Sequence, residues 1–293
     1  MPPLEMEQIV ESRLRNLDHI VLAVRDLEAA ASFFERLGFQ IGARNRHPWG
    51  TENRLIQFDG SFIELITIGS DPSKIPPHGA GQFSFGAFVR DYLGQREGIA
   101  MLVLTSDDAI ADAGRFDRAG IGSFDPFYFE RMGRRPDGSA ALVAFTLAFA
   151  TNANAPLAAF FVCQHHFPRN FWNPAFQRHS NGGRSILSVE MAVPDPSIHA
   201  AFLSDFTGRP AAREARELHF QLGNGCLRVA ADAVRGAIPR HHAVSIEMPD
   251  IASFVARLNA EGIAYDAIED GVCLPAERNF GTELRFRRKA ADR

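Results

Sequence analysis

Short apolar runs along this chain are each followed by an apolar stripe with the 3.6-residue period, and the two patterns recur as a pair. LDHIVLAV (17–24) reads as a strand and RDLEAAASFFERLGF (25–39) as the helix after it. Leu27, Ala30, Phe33, Phe34 and Leu37 make the stripe, Asp26 stands where an N-cap belongs, and Gly38 closes the helix. The same sentence is written three more times. AMLVLTSD (100–107) leads to Asp108, Phe116 and Gly120; ILSVEMAVPD (186–195) to Phe202, Leu203 and Gly208; AVSIEMPD (243–250) to Phe254, Leu258 and Gly262. Aspartate and glycine are 12 residues apart in the first, second and fourth copies and 13 in the third.

Each helix is followed by further strand-like segments: NRLIQF and SFIELI, SAALVAFTLA and AAFFVC, ELHFQL and CLRVAA, then YDAIED, GVCLP and TELRFR. Self-similarity at this spacing marks a repeat architecture. The unit reads β-α-β-β-β, and four of them predict an α+β protein whose mixed sheets curl around a cleft. HFPRNFWNPAFQRHSNGGRS (166–185), rich in Pro, Asn and Gly, is the natural joint between two halves. The expected organisation is therefore a first domain over 14–166, a connection over 167–184 and a second domain over 185–288.

With 293 residues the chain can bury two cores. A net charge of −4, with the basic residues dispersed, gives no electrostatic case for nucleic acid, and RFRRK (285–289) reads as a solvated strand end. Cys163, Cys226 and Cys273 form neither a CxxC pair nor a disulfide framework, which suits a reducing compartment. The polar amino terminus lacks a signal-peptide core, and no apolar run reaches the ~20 residues of a membrane span. A cytoplasmic protein is expected.

Two polar residues stand out because alternation buries them. His19 shares a strand face with Val21 and Ala23, and Glu64 shares one with Phe62 and Ile66. An isolated buried carboxylate costs several kcal/mol, so Glu64 must be paired or metal-bound. An imidazole and a carboxylate on rigid strands are the start of a divalent-metal ligand set. RHPWGTEN (46–53) offers a second group, His47, Trp49, Thr51 and Asn53, with Arg54 adjoining; His47 is a candidate for proton transfer near pH 7. In HHFPRNFWNPAFQRH (165–179) the aromatics Phe167, Phe171, Trp172 and Phe176 pin a connecting segment, while Gln164, His166, Asn170, Trp172 and Asn173 are candidates for a pocket wall. His241 and His242 alternate on a strand and read as its solvated entry. Phosphate-cradling GxGxxG and GxxxxGK[ST] motifs and the GxSxG nucleophile elbow do not occur.

In LDHIVLAVRDLEAAASFFERLGF, RHPWGTENRLIQFDGSFIELI and AAFFVCQHHFP, and in its four-fold repeat, the chain resembles the vicinal oxygen chelate superfamily and its glyoxalase-like domain proteins. The resemblance implies four βαβββ modules paired into two cupped mixed sheets. It also implies one divalent metal ion (Zn, Ni, Mn, Co or Fe) in a cup, held by a first-strand histidine and a last-strand glutamate. Position by position the histidine site becomes His19, Met101, Ser188 and Ala243, and the glutamate site Glu64, Cys163, Arg228 and Arg285. Only the first module keeps both, which argues against the four-ligand arrangement of glyoxalase I and against extradiol dioxygenases, whose ligands lie in the second half.

His165, on the same strand face as Cys163, is the preferred third ligand; His166 and Cys163 are the alternatives. His19, Glu64 and His165 would form a two-histidine, one-carboxylate set. The implied activity is that of a metal-dependent lyase or isomerase on a small oxygenated substrate chelated through vicinal oxygens, with Glu64 or His47 shuttling a proton. An iron-dependent oxygenase at the same site, or a binding protein of bleomycin-resistance type, are the other readings. The second half would pack, cover the cleft or make a homodimer.

Overall fold

The computed structural model describes residues 14–135, 137–232 and 237–289. The first module is β1 (Leu17–Ala23), α1 (Leu27–Arg36), β2 (Asn45–Arg46), β3 (Thr51–Phe58) and β4 (Ser61–Ile68). After an inserted helix α2 (Phe85–Gln95) comes the second: β5 (Gly98–Thr105), α3 (Ala109–Arg118), β6 (Phe127–Arg134), β7 (Ala140–Thr151) and β8 (Ala159–His165). A single turn, α4 (Pro168–Phe171), precedes β9 (Ile186–Val193), α5 (Ala200–Thr207), β10 (Ala212–Glu214), β11 (Glu217–Gln221) and β12 (Cys226–Ala231). The last module is β13 (Arg240–Glu247), α6 (Ile251–Ala260), β14 (Asp266–Ile268), β15 (Gly271–Leu274) and β16 (Glu283–Arg287). All four read β-α-β-β-β, as the repeat predicts.

The aspartates cap as expected. Asp26 accepts from the amides of Glu28 and Ala29, Asp108 from Ile110 and Ala111, and Asp250 from Ser253. Asp195 instead caps a 3₁₀ turn, Pro196–His199, that leads into α5, which accounts for the longer third spacing. Gly38, Gly120, Gly208 and Gly262 all have φ between 66° and 90°, the left-handed conformation that ends a helix without a Cβ penalty.

Two eight-stranded sheets result, in the orders β2-β3-β4-β1-β5-β8-β7-β6 and β10-β11-β12-β9-β13-β16-β15-β14. In each the two modules meet through an antiparallel pair, β1 with β5 and β9 with β13. Strand parity divides the apolar residues. Ile20, Leu22, Ile63, Leu65, Leu102 and Phe160 face the helices and merge with Val189, Met191, Val244, Ile246 and Phe286 in one core that spans both sheets. Phe160 touches Phe202, Phe206 and His241 at centroid distances of 4.9, 5.3 and 5.0 Å. On the other face of the first sheet, Val21, Phe62, Met101, Phe145, Phe149 and Phe161 line an aromatic cup closed by Phe85, Val89 and Tyr92 of α2. Among the described residues no helix is long and apolar enough to cross a membrane.

Two expectations need correction. His241 and His242 are not a solvated strand entry: they are 1% and 4% exposed. A register shift between His241 and Ala243 breaks the alternation, His241 enters the shared core, and His242 meets Glu283 at 3.4 Å. The basic stretch at 285–289 is likewise not wholly solvated, because Arg285 is held half-buried against Glu190 at 2.9 Å.

Candidate metal centre

β1 and β4 run parallel, with His19 beside Phe62 and Val21 beside Glu64. Both polar side chains therefore rise from neighbouring strands into the aromatic cup, 5% and 6% exposed. His19 Nε2 lies 3.8 Å from Glu64 Oε2. The imidazole stacks on Phe62 at 4.2 Å, so its plane is fixed.

What holds the other edge of that ring is Asp18. Strict alternation would send Asp18 to the helix face with Ile20. A register shift between Leu17 and His19 in the β1–β5 ladder breaks the parity, and the fully buried carboxylate reaches the two imidazoles instead. His19 Nδ1–H donates to Asp18 Oδ1 at 2.6 Å, and His165 Nε2–H donates to Asp18 Oδ2 at 2.9 Å. Burial alone would raise the Asp18 carboxyl, but the two imidazoles overcome it and hold the group well below the ordinary carboxylate range. An ionised Asp18 fixes both tautomers and leaves the His19 Nε2 lone pair facing Glu64.

Glu64 is the opposite case. Burial raises its pKa, and the nearby His19, the hydrogen bond from Asn53 and the Arg131 charge offset that only in part. Asn53 Nδ2–H donates to Glu64 Oε1 and also to His47 Nε2. His47 Nδ1–H in turn donates to Thr51 Oγ1 at 2.8 Å, and the ring stacks on Trp49 at 4.5 Å. Burial, with the Arg131 charge, lowers the His47 pKa to about 3. His47 is thus a neutral hydrogen-bonding wall of the site and does not titrate near pH 7 as its ordinary pKa suggests.

The cavity between these groups is walled by Trp49, Phe85, Phe129, Phe145, Phe161 and Phe171, with His19, His47, Asn53, Glu64, Arg131 and Cys163 supplying the polar atoms. The cavity opens to solvent at its mouth, and its enclosed part is about 50 Å³. One water needs roughly 10–15 Å³, so the enclosed part takes a few waters or a compact ligand.

The structure thus brings together His19, Glu64, His47, Trp49 and Asn53. Thr51 supports His47 from behind. Trp172 stacks on His165 at 5.5 Å and edges Phe62, bordering the cup. Five other candidates are used elsewhere. Arg54 pairs with Glu28 at 2.7 Å on the α1 side. Gln164 spans the start of α3, bonded to the Ala109 amide and the Asp107 carbonyl. The exposed His166 bonds Thr146, and Asn170 bonds Arg135 and the Leu142 carbonyl. Asn173 accepts from the Ala175 amide within its own turn. His165 is turned onto Asp18 rather than toward Glu64, and its Nδ1 is buried without a hydrogen bond.

Sequence reasoning missed Asp18 and Arg131. The signal for Asp18 was an acidic residue beside His19 inside an apolar strand; that for Arg131 was the alternation Phe127, Phe129, Arg131 on an edge strand.

A family model for the glyoxalase-like domain matches residues 17–207, from β1 through the first sheet to the end of α5. The chain belongs to the glyoxalase-like domain family of the vicinal oxygen chelate superfamily. No curated protein matches this family member in sequence. A hypothetical protein from Staphylococcus aureus superposes over 94% of this chain and 100% of its own, with TM-score 0.68 and 14% identity. A mutant 4-hydroxymandelate synthase from Streptomyces coelicolor covers 96% and 94%, with TM-score 0.57 and 14% identity. A xylose isomerase-like TIM barrel/4-hydroxyphenylpyruvate dioxygenase fusion protein matches 96% of this chain with half of its own, with TM-score 0.53 and 16% identity. At these identities the likeness shows the fold alone.

The donor atoms of this glyoxalase-like cup suit a divalent ion. Ligands about 2.0–2.2 Å from one ion stand ~3–4 Å apart, the separation of His19 Nε2 and Glu64 Oε2. A carboxylate behind the imidazole, here Asp18, is the usual partner of a metal-bound histidine. A second group of donor atoms, from Asp18, Cys163 and His165, lies within 4.8 Å of one another at the same end of the cup. Burial, and then the charges of Asp18 and Glu64, push the Cys163 thiol well up.

Proposed function

We propose that the first cup is a metal-dependent active site of the vicinal oxygen chelate type, acting as a lyase or isomerase on a small oxygenated molecule. The observation that carries this is the buried, oriented His19–Glu64 pair, with Asp18 fixing the imidazole from behind. His19 and Glu64 would hold the ion, with Cys163 or His165 nearest for a third ligand. Such an ion would bind adjacent substrate oxygens and stabilise developing enolate or alkoxide charge.

The protein's own groups do the rest. The aromatic walls exclude water and position an apolar substrate body. Asn53 steadies Glu64 Oε1 and leaves Oε2 turned to His19, where it would hold the ion or, released from it, move a proton. Trp49 and His47 close the side of the cleft. Three free cysteines accord with residence in the cytoplasm.

The oxygenase reading uses the same ligands, and the metal's identity separates it from the first. Metal content would be measured on protein purified without chelator or affinity metal, beside Glu64→Gln. Close to one equivalent in the wild type, lost in the variant, is expected. Iron with oxygen-dependent turnover would favour the oxygenase; zinc, nickel, cobalt or manganese the lyase or isomerase. Absence of metal from both proteins, persisting after incubation with zinc or manganese, would overturn the assignment in favour of a binding cup.

A further inference from the structure

The cavity contains one full charge that the reading above does not use. Arg131, on β6, lines the same space as Glu64 and His47. It is half-buried, and among the described residues no hydrogen bond or ion pair within 4.0 Å meets its guanidinium. Elsewhere in this protein comparably placed arginines are satisfied: Arg15 by Asp112 at 2.5 Å, Arg285 by Glu190 at 2.9 Å. Glu64 is near enough to feel the charge, but its Oε1 is taken by Asn53 and its Oε2 faces His19. His47, the other basic group on this wall, is neutral.

A half-buried guanidinium with five donors, unpaired by any described side chain and sharing its cavity with Trp49, Phe129 and Phe145, is set to take an anion. The shape that matches its planar fork is a carboxylate, bound through two parallel N–H···O bonds. We infer that the substrate of this cup is a compact monocarboxylic acid with an aromatic or branched apolar body, its carboxylate held by Arg131 and its body against the phenylalanine walls. The inference rests on the active-site reading for the word substrate; the anion site itself does not need the metal. Arg131 would act as a specificity-determining residue, selecting the acid over neutral isosteres of the same shape.

The test compares benzoate with benzamide, which share ring and outline and differ in charge. Their affinities would be measured by calorimetry for wild type, Arg131→Gln and Arg131→Lys, each metal-loaded and chelator-treated, with metal content assayed in parallel. Wild type should prefer benzoate by at least about tenfold in both forms, since only the acid offers the guanidinium a charge-assisted bidentate contact. Arg131→Gln should abolish the preference while keeping the wild-type metal content, and Arg131→Lys should keep part of it. The same preference in Arg131→Gln, or no benzoate preference in wild type (failure of both probes to bind included), would overturn the proposal. Glu64→Gln separates the two ideas: loss of metal with the preference intact leaves Arg131 standing whatever becomes of the metal reading.

Discussion

The two halves of this molecule share one strand order and fill their concave faces with opposite chemistry. In the first sheet, β1 and β4 carry His19 and Glu64 toward an aromatic cavity, and Asp18 locks the imidazole. In the second, β9 and β12 run in the same register, but Ser188 stands at the histidine position and Arg228 at that of the glutamate. β13 and β16 repeat the substitution with Ala243 and Arg285. The carboxylates there are already answered: Arg285 meets Glu190 at 2.9 Å and Glu283 at 2.6 Å, and Arg228 meets Glu217 at 2.6 Å. One cup keeps donor lone pairs for a ligand, and the other neutralises its charges internally. The fold therefore supports either outcome, and which one occurs depends on about four positions per sheet.

The largest effect should come from the residue that joins the halves. Phe160→Ala removes a fully buried ring that packs on Phe202, Phe206 and His241, and a loss of about 3–5 kcal/mol is expected. Because the core spans both sheets, urea transitions followed by tryptophan fluorescence and by circular dichroism should stay coincident. Both tryptophans, Trp49 and Trp172, report on the first half, so separation of the two transitions would show that the halves unfold independently.

A more local change sharpens the contrast between the cups. Asp18→Asn keeps the shape but removes the anion that orients His19, and metal affinity should fall by about 10–100-fold. Competition with a chromophoric chelator measures this, and an unchanged affinity would remove Asp18 from the account.

The smallest effect is a pH dependence of opposite sign in the two halves, read in metal-free protein. The His242 imidazole 3.4 Å away, against the cost of burial and with help from Arg285, draws the Glu283 carboxyl from 4.5 down to about 2. Its contribution is present above about pH 4.5 and is lost as the pH falls through about 2. Glu64 is raised, so its contribution is present below 4.5 and lost as the pH rises through its folded value. Thermal melts of Glu283→Gln should lose stability relative to wild type at pH 6 more than at pH 3, and those of Glu64→Gln should gain at pH 6. The same sign for both variants would contradict the contrast.

Most of the architecture was legible because it is written in local signals. Aspartate caps and closing glycines at a fixed spacing delimit four modules, and parity alone places His19 and Glu64 in one cup. What was not legible depended on broken parity or on contacts across strands. The bulges at Asp18 and His242 reverse the face that alternation assigns, so the carboxylate behind His19 was overlooked and a buried histidine was read as solvated. α2 carries neither the aspartate cap nor the closing glycine of the repeat; Ser84 caps it instead. By composition the segment around His165 resembles a pocket wall, yet Gln164, His166 and Asn170 satisfy backbone and loop groups outside the cup. Alternation puts Arg131 on one face with Phe127 and Phe129, but that this face lies over the cavity shows only in the assembled sheet.

Anomalous X-ray scattering from crystals of the manganese- or zinc-loaded protein would test the division of labour most directly. A single peak within bonding distance of His19 Nε2 and Glu64 Oε2, with none in the second cup near Arg228 and Arg285, is the predicted result. A peak in the second cup, or none in the first at saturating metal, would contradict it.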